Sequence, residues 1–267
     1  MPSNAELKEQ VKQAYGERAD QAGGCCCSSQ SSDSGNCETL AEDYSQMNGY
    51  VEDADLSLGC GIPTNHIDLK PGTTVLDLGS GAGNDVFVAR SIIGDSGTVI
   101  GVDMTEKMIN LAERNQAKLG FQNVEFRLGD IEDLPVETTS VDTVLSNCVL
   151  NLVPDKQAAF REIYRVLKPG GTFCVSDIVT RGQLSPRFME MVELYTGCIA
   201  GAVQLEEYLE IIKTAGFPEP EVKEKRSVPI PEDLLEKYRD DPEVQKFLKS
   251  DAEVLSVTVT GTKPIMR

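Results

Sequence analysis

The run Val75-Leu76-Asp77-Leu78-Gly79-Ser80-Gly81-Ala82-Gly83 constrains the fold more than any other stretch of this chain. An apolar segment carrying one acid and then three alternate glycines reads as a buried strand entering a tight loop. Such glycines allow backbone conformations that a Cβ forbids, and they let the main chain approach a ligand before a helix begins. Around this loop the pattern alternates strand and helix. A helix with Val86, Ala89 and Ile93 on one face precedes a strand over 98–103, and Met108, Leu111 and Ala112 mark the next helix. A strand over 124–128 ends at Gly129-Asp130, and a fourth covers 141–147. Phe160, Ile163 and Leu167 stripe a further helix, and after Lys168-Pro169-Gly170-Gly171 a strand runs from residue 172 to about 178. Nearly continuous apolar strands alternating with amphipathic helices are most economically a parallel sheet covered on both faces.

The flanks differ in character. Residues 4–20 place Leu7, Val11, Ala14 and Tyr15 at helical spacing, and residues 23–36, with Cys25-Cys26-Cys27 among Ser, Asp and Gly, read as a loop that cannot build a core. Residues 38–56 suggest a broken helix leading to Leu58-Gly59-Cys60-Gly61-Ile62-Pro63. Beyond residue 180 an insertion over 181–201, with Met189, Met191, Tyr195 and Cys198, has the place of a lid. A helix through Leu205, Tyr208, Leu209 and Ile212 follows, then strands over 221–228 and 255–262 separated by a charged, partly helical stretch. The last strand alternates Leu255, Val257 and Val259 with Ser256, Thr258 and Thr260, as expected near a sheet edge. Three regions result: 1–69 with N-terminal helices and the Cys-rich loop, a 70–180 core, and 181–267 completing the sheet.

Composition excludes several functions. Forty-three acidic against 25 basic residues give a net charge of -18, which disfavours nucleic acid and anionic membrane surfaces as partners. No apolar run approaches the roughly 20 residues of a membrane span, and the N-terminus lacks the basic and apolar regions of a signal peptide, so a cytoplasmic location is expected. Eight cysteines in that setting point to metal or redox thiols rather than a disulfide framework. A single histidine, His66, rules out a site built on several imidazoles, and His66 is assigned no role.

The glycine spacing is GxGxG, not the GxGxxG of dinucleotide sites, and Asp77 stands two residues before the first glycine. A pyrophosphate would be repelled there, whereas S-adenosylmethionine has no phosphate and carries an ammonium and a sulfonium. Asp103, twenty residues after Gly83, is placed to accept from both ribose hydroxyls, and Asp130 from an adenine amino group, with Met104 and Ile131 on the ring faces. Singly, these residues read equally well as a helix cap, a turn residue and core; together they favour a ligand. Residues 75–83, Asp103, Gly129-Asp130 and Lys168-Pro169-Gly170-Gly171 resemble the class I S-adenosylmethionine-dependent methyltransferases over residues 70–262. The resemblance implies an α/β, Rossmann-like fold: a seven-stranded, mostly parallel sheet with an antiparallel last strand and helices on both faces. It also implies cofactor contacts from Tyr15, Asp77, Gly79, Ser80, Gly81, Gly83, Asp103, Met104, Asp130, Ile131 and Asn147.

The acceptor is a separate question. Ligands of open α/β sheets bind beyond the carboxyl ends of the strands at the switch point, which in this fold lies between the first and fourth strands. Cys148 ends the fourth strand, Cys60 arrives from the preceding loop and Cys198 from the lid, a set that suggests a site for a soft element. Any one of them alone reads as a packing residue, as Cys174 does in mid-strand. Tyr15-Gly16, Leu58-Gly59-Cys60-Gly61, Asp103-Met104-Thr105, the run from Ser146-Asn147-Cys148 to Pro154-Asp155-Lys156, and Gly197-Cys198-Ile199-Ala200-Gly201-Ala202 are similar to the arsenite S-adenosylmethionine methyltransferases. That resemblance implies trivalent arsenic, As(III), held by Cys60, Cys148 and Cys198, with arsenite and then methylarsenite as substrates. It implies a redox partner for Cys60 among Cys25, Cys26, Cys27 and Cys37, restored by thioredoxin or a small thiol. The alternatives are a small-metabolite methyltransferase acting on a quinone or carboxylate, and a non-catalytic thiol protein that sequesters arsenite or mercury.

Overall fold

The computed structural model describes residues 3–22, 41–182, 184–185, 187–189, 199, 201–230 and 232–265. In it the apolar runs become strands β1 (Thr74–Leu78), β2 (Thr98–Asp103), β3 (Val124–Leu128), β4 (Val141–Asn147), β5 (Leu167–Arg181), β6 (Glu221–Val228) and β7 (Glu253–Thr262). They form one sheet ordered β3-β2-β1-β4-β5-β7-β6, in which β1 to β5 run parallel and β7 lies antiparallel between β5 and β6. The helices are α1 (Asn4–Ala22), α2 (Asn84–Ile93), α3 (Glu106–Leu119), α4 (Lys156–Val166) and α5 (Leu205–Thr214), followed by the short α6 (Glu232–Lys237) and α7 (Pro242–Leu248).

Successive strand residues belong to opposite cores, which is why these strands read as continuous apolar runs. Leu76, Val144 and Phe173 pack with Phe160, Ile163, Tyr208 and Ile212 of α4 and α5. Their neighbours Val75, Leu145 and Cys174 pack with Val86, Phe87, Ile93 and Ala112 of α2 and α3. Each large side chain fully buried this way contributes roughly 1.5–3 kcal/mol. At the start of α4, Asp155 accepts the Ala158 N–H at 2.8 Å and caps the helix. Cys174 is core, as expected: its thiol donates to the Pro63 carbonyl at 3.2 Å, and burial pushes it up to about 12.

Three expectations need correction. Residues 41–56 form turns and a single 3-10 turn, Glu52–Ala54, rather than a broken helix. Tyr44 there is buried and hydrogen bonded as a side chain, which fixes the segment by tertiary contacts instead of helical ones. β5 is longer than its sequence pattern, because residues 172–181 pair throughout with β7 and Gly170 and Gly171 exchange backbone bonds with Lys263. β7 is an interior strand, and its polar face is buried: Ser256 and Thr258 are inside the protein because they bond to Cys60 and Ser176. The edge is β6, whose side chains alternate between exposed and half-buried and include Lys223, Glu224, Lys225 and Arg226, charges that discourage pairing with another chain.

Candidate active site

Beyond the carboxyl ends of β1 and β4, where the strand order reverses, lies a cleft of about 1180 Å³ measured out to its open mouth. Its floor is the glycine loop. Gly79, Gly81 and Gly83 all have positive φ, and Ser80 N–H donates to the Val102 carbonyl at 3.0 Å, tying the loop to β2. A Cβ on Gly83 would come within 2.9 Å of Phe87, whereas one on Gly81 would meet nothing within 4 Å. Gly83 is therefore required by packing, and Gly81 leaves room on the open side of the loop.

Asp77, Ser80, Gly81, Asp103, Met104, Asp130, Ile131 and Asn147 all line this cleft, as does Tyr15 from α1. Asp103 Oδ2 accepts the Gly81 N–H at 3.0 Å and Oδ1 the Thr105 N–H at 2.8 Å. The carboxylate keeps acceptor capacity for a ligand hydroxyl. Asp130 is differently engaged: Oδ1 takes the Glu132 N–H, and Oδ2 pairs at 2.6 Å with Lys8, which also pairs with Glu132. With the Lys107–Asp20 pair at 2.5 Å, this lays α1 across the cleft mouth, where Val11 and Tyr15 face inward.

The electrostatics favour a cation. Burial pushes Asp77 well above the usual carboxylate range, and nearby Asp85 and Asp103 push it further. Asp85, which sequence reasoning passed over, is raised to about 6, chiefly by burial, against the opposing hydrogen bonds of Tyr44 and Asn147. Burial also raises Asp103, while the Thr105 and Gly81 N–H groups oppose it. Among the described lining residues Lys8 is the one basic side chain, and it is committed to Asp130 and Glu132. Ser80 Oγ and Asn84 Oδ1, both at the cleft, are buried without a hydrogen-bond partner. Acids, orphaned polar atoms and space over Gly81 fit a ligand with an ammonium, a sulfonium and hydroxyls, and no phosphate; S-adenosylmethionine is such a ligand.

Cys148 lines this cleft, and Cys60 is fully buried in the apolar cluster that it shares with Cys148. Cys148 follows β4 directly, with φ +59°, an uncommon conformation for a residue with a Cβ, and its N–H donates to the Ser176 carbonyl at 2.7 Å. The next residue, Val149, covers Gly79, where a Cβ would meet it at 2.4 Å. Cys60 reaches the same place from the other side. Its N–H donates to Asn147 Oδ1 at 3.0 Å, and its carbonyl accepts from Arg226 Nη2 at 2.9 Å and Ser256 Oγ at 2.5 Å. Cys60 and Cys148 share one buried cluster with Ile178, Phe188, Ile199, Val228, Val244 and Val254. Phe247 of α7 stacks on Phe188, so the charged stretch near the C-terminus helps to roof the thiols. Cys25, Cys26, Cys27, Cys37 and Cys198 lie outside the described residues. Among the described residues no group of three or more His, Cys, Asp or Glu side chains could hold a metal ion.

A second polar cluster beneath Cys148 escaped the sequence reading. Asp177 in β5 accepts from Tyr208 Oη at 3.0 Å and from the Ile178 N–H, and burial raises it to about 6 against the opposing charge of Lys156. Lys156 Nζ donates to the Asn151 and Val153 carbonyls at 3.0 and 3.1 Å, bracing the loop that follows Cys148. The available signal was an acid inside the apolar run Phe173-Cys174-Val175-Ser176-Asp177-Ile178-Val179.

A family described as a methyltransferase domain matches residues 69–216. With the sheet order and the acid-lined glycine loop, this places the chain among the class I S-adenosylmethionine-dependent methyltransferases. The chain is 41% identical over 232 residues to an arsenite methyltransferase of Halobacterium salinarum, covering 82% of this chain and 59% of the relative. The human arsenite methyltransferase is 34% identical over 249 residues, covering 88% and 64%. The chain thus spans less than two thirds of either relative's length. The crystal structure of an arsenic(III) S-adenosylmethionine methyltransferase from Chlamydomonas reinhardtii superposes with a TM-score of 0.65 at 33% identity, covering 77% of this chain and 68% of that one. Within the class, the chain belongs to the arsenite methyltransferase family.

Proposed function

We propose that this protein transfers the methyl group of S-adenosylmethionine to trivalent arsenic, first on arsenite and then on methylarsenite. The meeting of Cys60 and Cys148 in one buried cluster beside the glycine loop supports this reading most. Thiolates suit a soft, thiophilic centre, and an enclosed site excludes competing water. The cofactor supplies an electrophilic methyl group on a positively charged sulfur. Asp77, Asp85 and Asp103 would hold that cation and its ribose, and α1 would close over them through Tyr15. No general base is needed at the acceptor, in keeping with a chain whose one histidine stands away from the cleft, 3.2 Å from Glu224.

Cys198 is the third thiol of the proposal. Donation of the arsenic lone pair to the methyl group takes arsenic formally from As(III) to As(V), and Cys60 with Cys25, Cys26, Cys27 or Cys37 would return the two electrons by closing to a disulfide with loss of two protons, which thioredoxin or a small thiol then reduces. Residues 1–69 and 181–267 would then supply the arsenic-site and lid elements around a 70–180 cofactor-binding core. No helix among the described residues is long and apolar enough to cross a membrane; action in the cytoplasm is part of the proposal. Arsenic speciation after incubation with S-adenosylmethionine and thiols tests the reading. Methylated arsenic is expected from the parent and none from Cys148→Ser, whereas Cys60→Ser should lose arsenite methylation and keep that of methylarsenite. A parent that binds arsenite but releases no methylated product would sink it in favour of sequestration.

A further inference from the structure

Asn147, the last residue of β4, lines the cleft beside the glycine loop, and the family resemblance implies a cofactor contact for it. Its hydrogen bonds point elsewhere. Oδ1 accepts the Cys60 N–H at 3.0 Å, while Nδ2 lies 2.8 Å from the Gly61 carbonyl, 2.9 Å from Tyr44 Oη and 3.2 Å from Asp85 Oδ2. Tyr44 Oη in turn lies 2.8 Å from Asp85 Oδ1 and 3.1 Å from the Gly61 carbonyl. This set fixes the amide's orientation, since the reverse would set a donor against the Cys60 N–H and an acceptor against the Asp85 carboxylate. Gly59 lets the loop lie on the amide, because a Cβ there would come within 2.6 Å of Nδ2.

Asn147 is also peptide-bonded to Cys148, so one residue spans both thiols. With Arg226 and Ser256 on the Cys60 carbonyl, the backbone around Cys60 is held on both sides. We infer that Asn147, braced by Tyr44 and Asp85, is the positioning residue that sets Cys60 against Cys148. It thereby controls recognition of inorganic arsenite, which uses the Cys60 thiol, more than that of methylarsenite. This inference rests on the arsenic reading given above.

The test compares the full-length parent with Asn147→Ala and the milder Tyr44→Phe. Three dissociation constants are measured, for arsenite, methylarsenite and S-adenosylmethionine, together with amide hydrogen exchange read by mass spectrometry. For Asn147→Ala, arsenite affinity should fall about tenfold or more, while the other two affinities stay within about twofold of the parent. Exchange should accelerate in peptides spanning residues 58–62 and not in those of α3. Tyr44→Phe should give a smaller change in the same direction, and it decides the matter if Asn147→Ala does not fold. A fall in cofactor affinity with arsenite binding intact would make Asn147 a cofactor contact and overturn the inference. Equal losses for all three ligands, or unchanged exchange at 58–62, would overturn it too. A parent that binds no arsenite removes the reading beneath, but the exchange measurement still decides whether Asn147 holds the Cys60 loop.

Discussion

The Tyr44 hydroxyl lies 2.8 Å from the Asp85 carboxylate, which lines the cleft, is largely buried and is raised to about 6. The unfolded chain releases that proton near the ordinary value of 3.8. The folded protein therefore holds a proton between roughly pH 4 and 6 that the unfolded chain has lost, and its stability falls as pH rises through that window. The cost of ionising Asp85 is on the order of 2–3 kcal/mol at neutral pH. Asp85→Asn should gain stability relative to the parent by an amount of that order between pH 4.5 and 7.5, in urea denaturation without cofactor. A difference that does not change with pH would mean Asp85 is ionised throughout.

Cys148 carries a Cβ at φ +59°. The strain of that conformation is on the order of 1 kcal/mol, and glycine relieves it where alanine does not. Cys148→Gly is expected to be more stable than Cys148→Ala by about 1 kcal/mol, although it buries less surface. Thermal denaturation of the pair measures the difference, and both variants should be inactive on arsenic.

Gly81 and Gly83 differ in what a methyl group would meet. Gly81→Ala should fold with a loss of about 1 kcal/mol, from its φ of +51° alone, and lose cofactor affinity by about tenfold. Gly83→Ala drives a methyl group into Phe87 and Phe126 and should cost appreciably more stability, about 1–3 kcal/mol beyond the strain. Calorimetric titration with S-adenosylhomocysteine beside urea denaturation separates the two. Unchanged cofactor affinity in Gly81→Ala would show that the loop's open side is not a ligand surface.

Lys8 fastens α1 to Asp130 and Glu132 across the cleft mouth. Partly exposed pairs are worth only about 0–1 kcal/mol, so Lys8→Glu should leave global stability nearly unchanged. It should nevertheless speed amide exchange within residues 4–22 and weaken cofactor binding a fewfold, an effect that added salt reproduces in the parent. Unchanged exchange would assign the hold on α1 to its contacts with α3.

The parallel core was legible because β1, β4 and β5 are buried on both faces and their helices carry apolar stripes. Several residues that line the cleft were legible for a related reason: Asp77, Asp103, Asp130 and Asn147 sit beside the glycine loop or at strand ends, at spacings that the fold itself imposes. What stayed hidden depends on contacts between distant segments. Tyr44 and Asp85 carry no local signal, and the alternation of Ser256 and Thr258 with apolar residues marked a strand near the sheet edge without showing that β6 lies outside it and that their face is buried. Asn147 was given by resemblance as a cofactor contact, whereas its side chain is hydrogen bonded to a loop that precedes the core. Asp130 was expected to wait for an adenine; the Lys8 pairing could not be foreseen without knowing where α1 lies.

The grip on Cys60 also orders events during synthesis. Ser256 belongs to β7, which leaves the ribosome after the other six strands described, and Arg226 belongs to β6 just before it. A nascent chain that has emerged through β5 already contains the glycine loop and both described thiols of the cluster, yet the carbonyl of Cys60 has neither of its two donors. The donors that hold the Cys60 carbonyl are therefore made after Asn147, which holds its N–H.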